Sequence, residues 1–161
     1  MKSVLIVILL LLGCSVAAAE ESATAITLGG LDGQQSLLTL AEFDALPRVQ
    51  VSANEHGTQH VFDGALLGDV LARVGAPAGK AIHGKELADV VIVEARDGYI
   101  VALGLAETDS TIRAERVILA DRMDGAPLGS DKGPFQLVIE GDLRPARSAR
   151  MVSKIRLERV R

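Results

Sequence analysis

Three arginines recur at intervals of three residues near the end of the chain, at Arg144, Arg147 and Arg150. A guanidinium group donates paired hydrogen bonds to a carboxylate, sulfate or phosphate, so arginines in this arrangement are suited to anion recognition. The same spacing also fits a solvated basic edge of the protein. The sequence leaves both interpretations open.

A tight turn of sequence Arg96-Asp97-Gly98-Tyr99 is a second candidate for binding chemistry. In a plain hairpin turn, the Asp97 side chain would bond the backbone and Gly98 would supply a positive φ angle. Tyr99 is the only tyrosine, and a ring with a polar tip suits the wall of a pocket. The turn is therefore either an ordinary connection between strands or part of a binding cleft.

A polar loop runs from Asp124 to Lys132 and is the third candidate. Its segment Gly129–Gly133 resembles a phosphate-binding loop in composition. The segment lacks the spacing of the nucleotide-binding motif, and Pro134 and a strand follow it where a helix would be required. We interpret it as a connecting loop.

Two histidines, His56 and His60, are four residues apart, as in the zinc motif H-E-x-x-H. Gly57 occupies the position of the glutamate, and the context is a hairpin, so surface histidines are the favoured interpretation. His83 lies in a loop with no visible partner. No metal site is expected, and no G-x-S-x-G motif supports a serine hydrolase of that type.

The composition restricts the chemistry of the chain. Cys14 is the only cysteine, so residues 20–161 contain no thiolate ligand, thiol nucleophile or disulfide. The chain has no tryptophan and few aromatic residues, which argues against base-stacking and sugar-stacking surfaces. Residues 144–161 carry seven basic and one acidic side chain, against nine and twenty in residues 20–143. We interpret the basic end as the exposed face of a strand, and we expect no nucleic-acid partner.

Residues 1–19 have the pattern of a signal peptide. Val4–Leu12 is an apolar run of nine residues, which is shorter than the roughly 20 needed to span a bilayer but suits a signal peptide. Ala17-Ala18-Ala19 is a small-residue cleavage site. The alternative is a lipoprotein box at Leu11–Cys14, with Cys14 acylated and the protein anchored to a membrane. We expect ordinary cleavage and a periplasmic or secreted protein.

The candidate residues must be positioned by strands and short helices that do not alternate regularly as βαβ units. This order of elements predicts the α+β class. Residues 20–36 are interpreted as a leader with a first strand, and residues 37–161 as the folded domain. A capping box at Thr39 and Glu42 marks a helix over residues 37–46. A second, amphipathic helix over 65–74 should bury Leu66, Leu67, Val70 and Leu71 against strands that contain Val91, Val93, Ile118 and Leu137. Strands are predicted at 26–28, 49–53, 58–62, 90–95 (buried on both faces), 99–103, 116–121, 135–140 and 154–160, with a helical turn at 105–109.

An ordered set of short motifs resembles a known family. The set consists of Phe62–Leu67 leading into a helix, Asp97-Gly98-Tyr99, Ile118-Leu119-Ala120, Asp124–Leu128, Gly133–Val138 and the segment Arg147–Val152. This order is similar to that of the oxidoreductase molybdopterin-binding domain, the catalytic-domain fold of sulfite oxidases, from about Leu38 to Val160. The resemblance implies a mixed β-sheet with short helices, and molybdopterin as the cofactor of the catalytic members.

The resemblance also suggests where a ligand would bind. The arginines would lie near the position at which members of the family bind the anionic end of their cofactor. A polar and cationic cleft is therefore expected there. A small anionic ligand, or the carboxylate of a partner peptide from the cell envelope, would suit it. No catalytic residue is assigned, and the candidate ligand-binding residues are Arg96, Asp97, Tyr99, Asp124, Lys132, Arg147 and Arg150.

The missing cysteine separates two functional hypotheses. Catalytic members of the family hold molybdenum through a cysteine, and hard oxygen ligands are not equivalent to a soft thiolate. The favoured hypothesis is an exported binding or accessory module without redox activity and without a cofactor. The alternative is a true periplasmic molybdopterin-dependent oxidoreductase, with its metal held without cysteine or by a partner subunit. A purely structural subunit of an envelope complex is a third possibility.

The two processing sites predict different mature proteins. Expressed with residues 1–19 in a Gram-negative host, the protein should appear in the soluble periplasmic fraction with an N-terminus near Glu20. Intact-mass measurement and N-terminal sequencing would check this. A mature chain that begins at Cys14 and carries acyl groups would show that the lipoprotein box is used.

Overall fold

The computed structural model describes residues 25–160, so Cys14 and the predicted signal peptide lie outside the described residues. Two five-stranded β-sheets and two short α-helices make up this region, together with short 3₁₀ turns at Gly79–Ala81, Gly84–Ala88, Leu105–Thr108 and Pro145–Arg147. The main elements in chain order are β1 (Ile26–Gly29), β2 (Gln35–Leu38), α1 (Leu40–Asp44), β3 (Arg48–Glu55), β4 (Thr58–Leu66), α2 (Leu67–Ala72), β5 (Asp89–Ala95), β6 (Ile100–Gly104), β7 (Val117–Met123), β8 (Ala126–Pro127), β9 (Gln136–Ile139) and β10 (Val152–Arg159).

The first sheet has the strand order β2-β1-β10-β5-β6. β1 runs parallel to β10, with Thr27 opposite Lys154, and the other neighbours in this sheet are antiparallel. β1 lies in the predicted leader, and β2 crosses the boundary expected between residues 36 and 37. A mixed sheet with short helices confirms the α+β prediction.

The second sheet has the order β3-β4-β7-β8, and β9 also pairs with β7. The predicted hairpin is confirmed: β3 and β4 pair from Arg48 opposite Ala65 to Glu55 opposite Thr58. His56 and Gly57 form its two-residue turn with φ angles of 51° and 90°. Two left-handed residues give a turn whose twist matches that of the flanking strands.

Both helices are shorter than the sequence pattern predicts. Thr39 caps α1 with the predicted capping box, so the helix begins at Leu40, and the expectation that residues 37 and 38 are helical is wrong. Leu37 and Leu38 instead pair with β1 in the first sheet. Ala65 and Leu66 were also expected to be helical, but they pair with β7 and end β4. Pairing with a neighbouring strand overrides the helical periodicity at both places.

The main core lies between the two sheets around α2. Leu67, Val70 and Leu71 are fully buried in one cluster with strand residues that include Val91, Val93 and Leu137, as predicted. For Leu66 the predicted burial is wrong, although its predicted contact with the strand that contains Ile118 is present. It is half-buried and packs on a smaller cluster of the second sheet that contains Ile118, because it still belongs to β4.

Two strands that were both predicted to be buried differ in the structure. β7 is buried at five consecutive positions, Val117–Asp121, as expected. β5 alternates: Val91 and Val93 are fully buried, whereas Val90 and Ile92 are only half-buried. The expectation that β5 is buried on both faces is therefore wrong, because only one of its faces packs on the core. Among residues 25–160, no helix is long and apolar enough to cross a membrane.

The burial of α2 makes its leucines strong determinants of stability. Leu71→Ala and Leu67→Ala should each lower the free energy of unfolding by about 2–5 kcal/mol, because each removes a fully buried side chain and leaves a cavity. Leu143→Ala is the matched control, since Leu143 is 95% exposed and should change stability by less than about 0.5 kcal/mol. Urea unfolding followed by circular dichroism measures all three. Equal midpoints for the core variants and the control would contradict the placement of α2.

Candidate functional site

A buried carboxylate lies at the end of β3, beside the turn of the first hairpin. The Glu55 side chain is only 5% exposed. Its Oε1 accepts a hydrogen bond of 2.6 Å from Gln136 Nε2, and its Oε2 accepts one from Lys132 Nζ. Arg150 completes the group, with Nη2 at 3.8 Å from Glu55 Oε1. These four residues are referred to below as the Glu55 cluster.

The alternating pattern of β3 explains why Glu55 points inward. Val51, Ala53 and Glu55 occupy alternate positions of one strand and therefore share one face of the sheet. Val51 is buried, Ala53 is half-buried, and Glu55 is buried again at the last position of the strand. An acidic side chain thus follows two apolar ones on the same face.

The donors of the cluster come from separate segments, each with its own backbone support. Lys132 lies in the loop before β9, where its N–H donates to Gly129 O at 3.0 Å and its carbonyl accepts from Met151 N at 2.7 Å. Gln136 begins β9 and is fully buried, and its Nε2 also donates to Ser148 Oγ at 2.9 Å. Ser148 Oγ in turn donates to Leu137 O at 2.7 Å, which fixes the hydroxyl as the acceptor for the amide.

The electrostatics of the cluster keep Glu55 ionised at neutral pH. Burial is the largest single influence and raises the pKa of Glu55, but the hydrogen bonds from Lys132 and Gln136 and the charges of Lys132 and Arg150 together outweigh it. The pKa of Glu55 is therefore lowered overall. The carboxylate remains an anion held by two cations and an amide.

Arg150 forms the solvent end of the cluster. Its side chain is 34% exposed, and its Nη2 lies 3.4 Å from His56 Nε2 in the hairpin turn. At 3.8 Å its contact with Glu55 Oε1 is an ion pair and not a hydrogen bond. Arg150 therefore retains donor capacity towards solvent.

Asp124 is tied to β4 rather than to the cluster itself. Its Oδ2 lies 2.6 Å from His60 Nδ1, and its Oδ1 accepts from Val61 N at 2.9 Å. The pKa of Asp124 is lowered, first by the hydrogen bond with His60 and then by that from Val61, with a smaller contribution from the charge of Lys132. His60 and His56 thus interact with different partners, an acid and an arginine.

The turn at residues 96–99 lies against the segment that precedes β10. Tyr99 N donates to Asp97 Oδ1 at 3.0 Å, the bond expected for an ordinary hairpin turn. The Tyr99 hydroxyl donates to Ala146 O at 2.6 Å, and Arg96 N donates to Met151 O at 3.0 Å. The turn therefore supports the backbone that carries Arg147 and Arg150.

Arg147 pairs with acids other than Glu55. It donates to both oxygens of Asp142, at 2.6 and 3.0 Å, and its Nη1 lies 3.2 Å from Glu107 Oε2. Two carboxylates therefore neutralise its charge. Of the seven candidates, Lys132 and Arg150 meet on one carboxylate, Asp124 lies near Lys132, and Arg96, Asp97 and Tyr99 support the adjacent segment.

Sequence reasoning missed Glu55 and Gln136, which are the acceptor and the amide donor at the centre of the cluster. The signal for Glu55 was its position in phase with Val51 and Ala53 on an alternating strand. Gln136 carried no such signal, because a glutamine at the start of an apolar run is equally suited to a strand end.

An open groove adjoins the cluster, between the hairpin turn and residues 143–146. It has a volume of about 380 Å³, and its lining includes His56, Leu143, Arg144 and Pro145. A smaller, enclosed cavity of about 10 Å³ lies beside Glu55 and Ser148, with space for about one water molecule. Asn54 lines both spaces. Among residues 25–160, no three His, Cys, Asp or Glu side chains are placed to hold a metal ion.

Comparisons with known proteins agree with this architecture. No curated protein matches the chain. Among solved structures, the sulfane dehydrogenase SoxCD from Paracoccus pantotrophus is similar, with a TM-score of 0.63 and 15% sequence identity over 86% of this chain. The match spans 39% of that protein's chain, and at this identity it shows the fold alone. The model of the oxidoreductase molybdopterin binding domain matches residues 15–161. The chain therefore belongs to the oxidoreductase molybdopterin-binding domain family, as the order of its motifs predicted.

Proposed function

We propose that this chain is an exported binding or accessory module on the molybdopterin-oxidoreductase scaffold, without redox activity of its own. Its partner would be a small anionic ligand or another protein of the cell envelope. The apolar run at Val4–Leu12 and the site at Ala17–Ala19 support export, and acylation of Cys14 would add a membrane anchor. Membership in the family supports the scaffold.

The donor set of the domain is the observation that carries this proposal. The family's catalytic members hold molybdenum through a thiolate, and residues 25–160 contain no cysteine. Within the same residues no other group of three potential ligands is close enough to hold a metal ion. The side chains present in this domain therefore do not fit a molybdenum centre of the family's type.

The cations of the region support binding of an anion without a metal. Arg144 is exposed at the groove and has no hydrogen-bond or ion-pair partner among residues 25–160. Arg150 contacts His56, which lines the same groove as Arg144. Negative ligands are attracted to such a surface even though residues 20–143 are strongly acidic.

A molybdopterin-dependent oxidoreductase is the second candidate function, and the family match is the observation that favours it. In that case a partner chain would have to supply the missing ligand. The two functions differ in metal content, which is directly measurable.

The proposal predicts a protein without molybdenum. Purified from a host that makes molybdopterin, it should contain far less than one molybdenum atom per chain by mass spectrometry of metals. It should also show no sulfite oxidation above the buffer rate. A cysteine-containing member of the family, expressed in the same host, controls for cofactor supply. Near-stoichiometric molybdenum in this chain would contradict the proposal and favour the oxidoreductase.

A further inference from the structure

We propose that Lys132, Gln136 and Arg150 form a binding site for a small carboxylate, and that the chain's own Glu55 occupies this site in the resting protein. The inference deepens the proposed binding function, on which it rests, by naming the ligand class and the residue that competes with it. The site lies inside the fold, next to the groove at residues 143–146.

The donor set resembles a site built for an external anion. The Lys132 ammonium comes from the loop before β9, the Gln136 amide from β9 and the Arg150 guanidinium from the segment before β10, and all three converge on a single carboxylate. Charge-assisted hydrogen bonds of this kind are the usual means of recognising carboxylates. The anion they hold belongs to a fourth segment, the end of β3.

The donors are held in place independently of Glu55. Ser148 fixes the Gln136 amide, and the backbone of Lys132 is bound on both sides by Gly129 and Met151. Lys132 Nζ also lies 3.4 Å from Met123 Sδ, and Arg150 contacts His56. Removal of the Glu55 carboxylate would therefore leave an assembled set of donors without an anion.

A free buried acceptor supports a ligand in this position. Gln136 is fully buried, and its Oε1 has no hydrogen-bond partner among residues 25–160. The Gln136 Nε2 can donate to the carboxylate of a ligand. Its free Oε1 can at the same time accept a hydrogen bond from an N–H or O–H group that lies next to that carboxylate. Such ligands include hydroxy acids and amino acids.

The position of Glu55 gives an external ligand a short route to the site. Glu55 immediately precedes the turn formed by His56 and Gly57, at the tip of the first hairpin. Asn54, its neighbour in β3, and Pro145 line both the small cavity beside Glu55 and the open groove. Movement of this one hairpin tip would expose Lys132 and Gln136 to the groove.

Loss of Glu55 should leave a site that an added carboxylate can fill. Lys132 and Arg150 then lack a counter-charge in a partly buried place, which destabilises the fold. Glu55→Ala should therefore unfold at a lower temperature than the unchanged protein. Formate or acetate should raise its unfolding temperature in a saturable manner, compared with chloride at the same ionic strength. The unchanged protein should show no such rise, because its own carboxylate fills the site.

Glu94→Ala is the matched control. Glu94 is likewise an acid paired with basic side chains, Arg156 and Lys154, although it is only half-buried, and it lies on the first sheet away from the groove. It should not respond specifically to acetate. The double variant Glu55→Ala with Lys132→Met should lose the response, since the main donor is gone. An acetate response of Glu55→Ala no larger than that of Glu94→Ala would overturn the inference.

A folding defect in Glu55→Ala does not prevent the test. If this variant is unfolded in chloride, acetate or formate should restore its circular dichroism spectrum, and failure of both anions to do so would overturn the inference.

Lactate and alanine test the role of the free Gln136 oxygen. A dipeptide with a free C-terminus, compared with its amide, distinguishes a protein terminus from a free acid as the source of the carboxylate. Molybdenum in the purified protein would contradict the proposed function but leave these anion responses unaffected.

Discussion

Burial of one charged group, the Glu55 carboxylate, dictates how the loops around the candidate site must pack. A carboxylate that is 5% exposed is strongly destabilising unless cations and hydrogen-bond donors compensate for its lost hydration. Lys132 and Gln136 supply that compensation, and both lie about 80 residues further along the chain. The end of β3, the loop before β9 and the segment before β10 are therefore bound to one another by a single acid.

The position of β10 connects this site to the rest of the fold. β10 is the middle strand of the first sheet, between β1 and β5, and it begins directly after Arg150 and Met151. Met151 donates to the carbonyl of Lys132 and accepts from Arg96, so the segment before β10 joins the two sheets. Arg150 is thus positioned by the segment that leads directly into a strand of the core.

Local signals in the sequence predicted most of the elements, and long-range contacts explain what was missed. The capping box at Thr39 and the His56-Gly57 turn are encoded within a few residues, and both are present. Leu66 belongs to β4 because it pairs with β7. Arg147 forms an ion pair with Glu107 because the fold brings these two distant residues together. Lys132 and Arg150 were both candidates, and the fold brings them to Glu55, an acid that was not among the candidates.

The family scaffold and its chemistry can be separated in this chain because different residues determine them. The scaffold depends on apolar positions such as Val93, Leu71 and Leu137, which meet in one core. The metal chemistry of the family depends on one thiolate, and its loss does not affect that core. Residues 25–160 contain no cysteine, and their sheets and core are nevertheless complete. Glu55 is paired with Lys132 and Arg150 in this domain, and the carboxylate site that we propose would use the same donors once a ligand displaced Glu55.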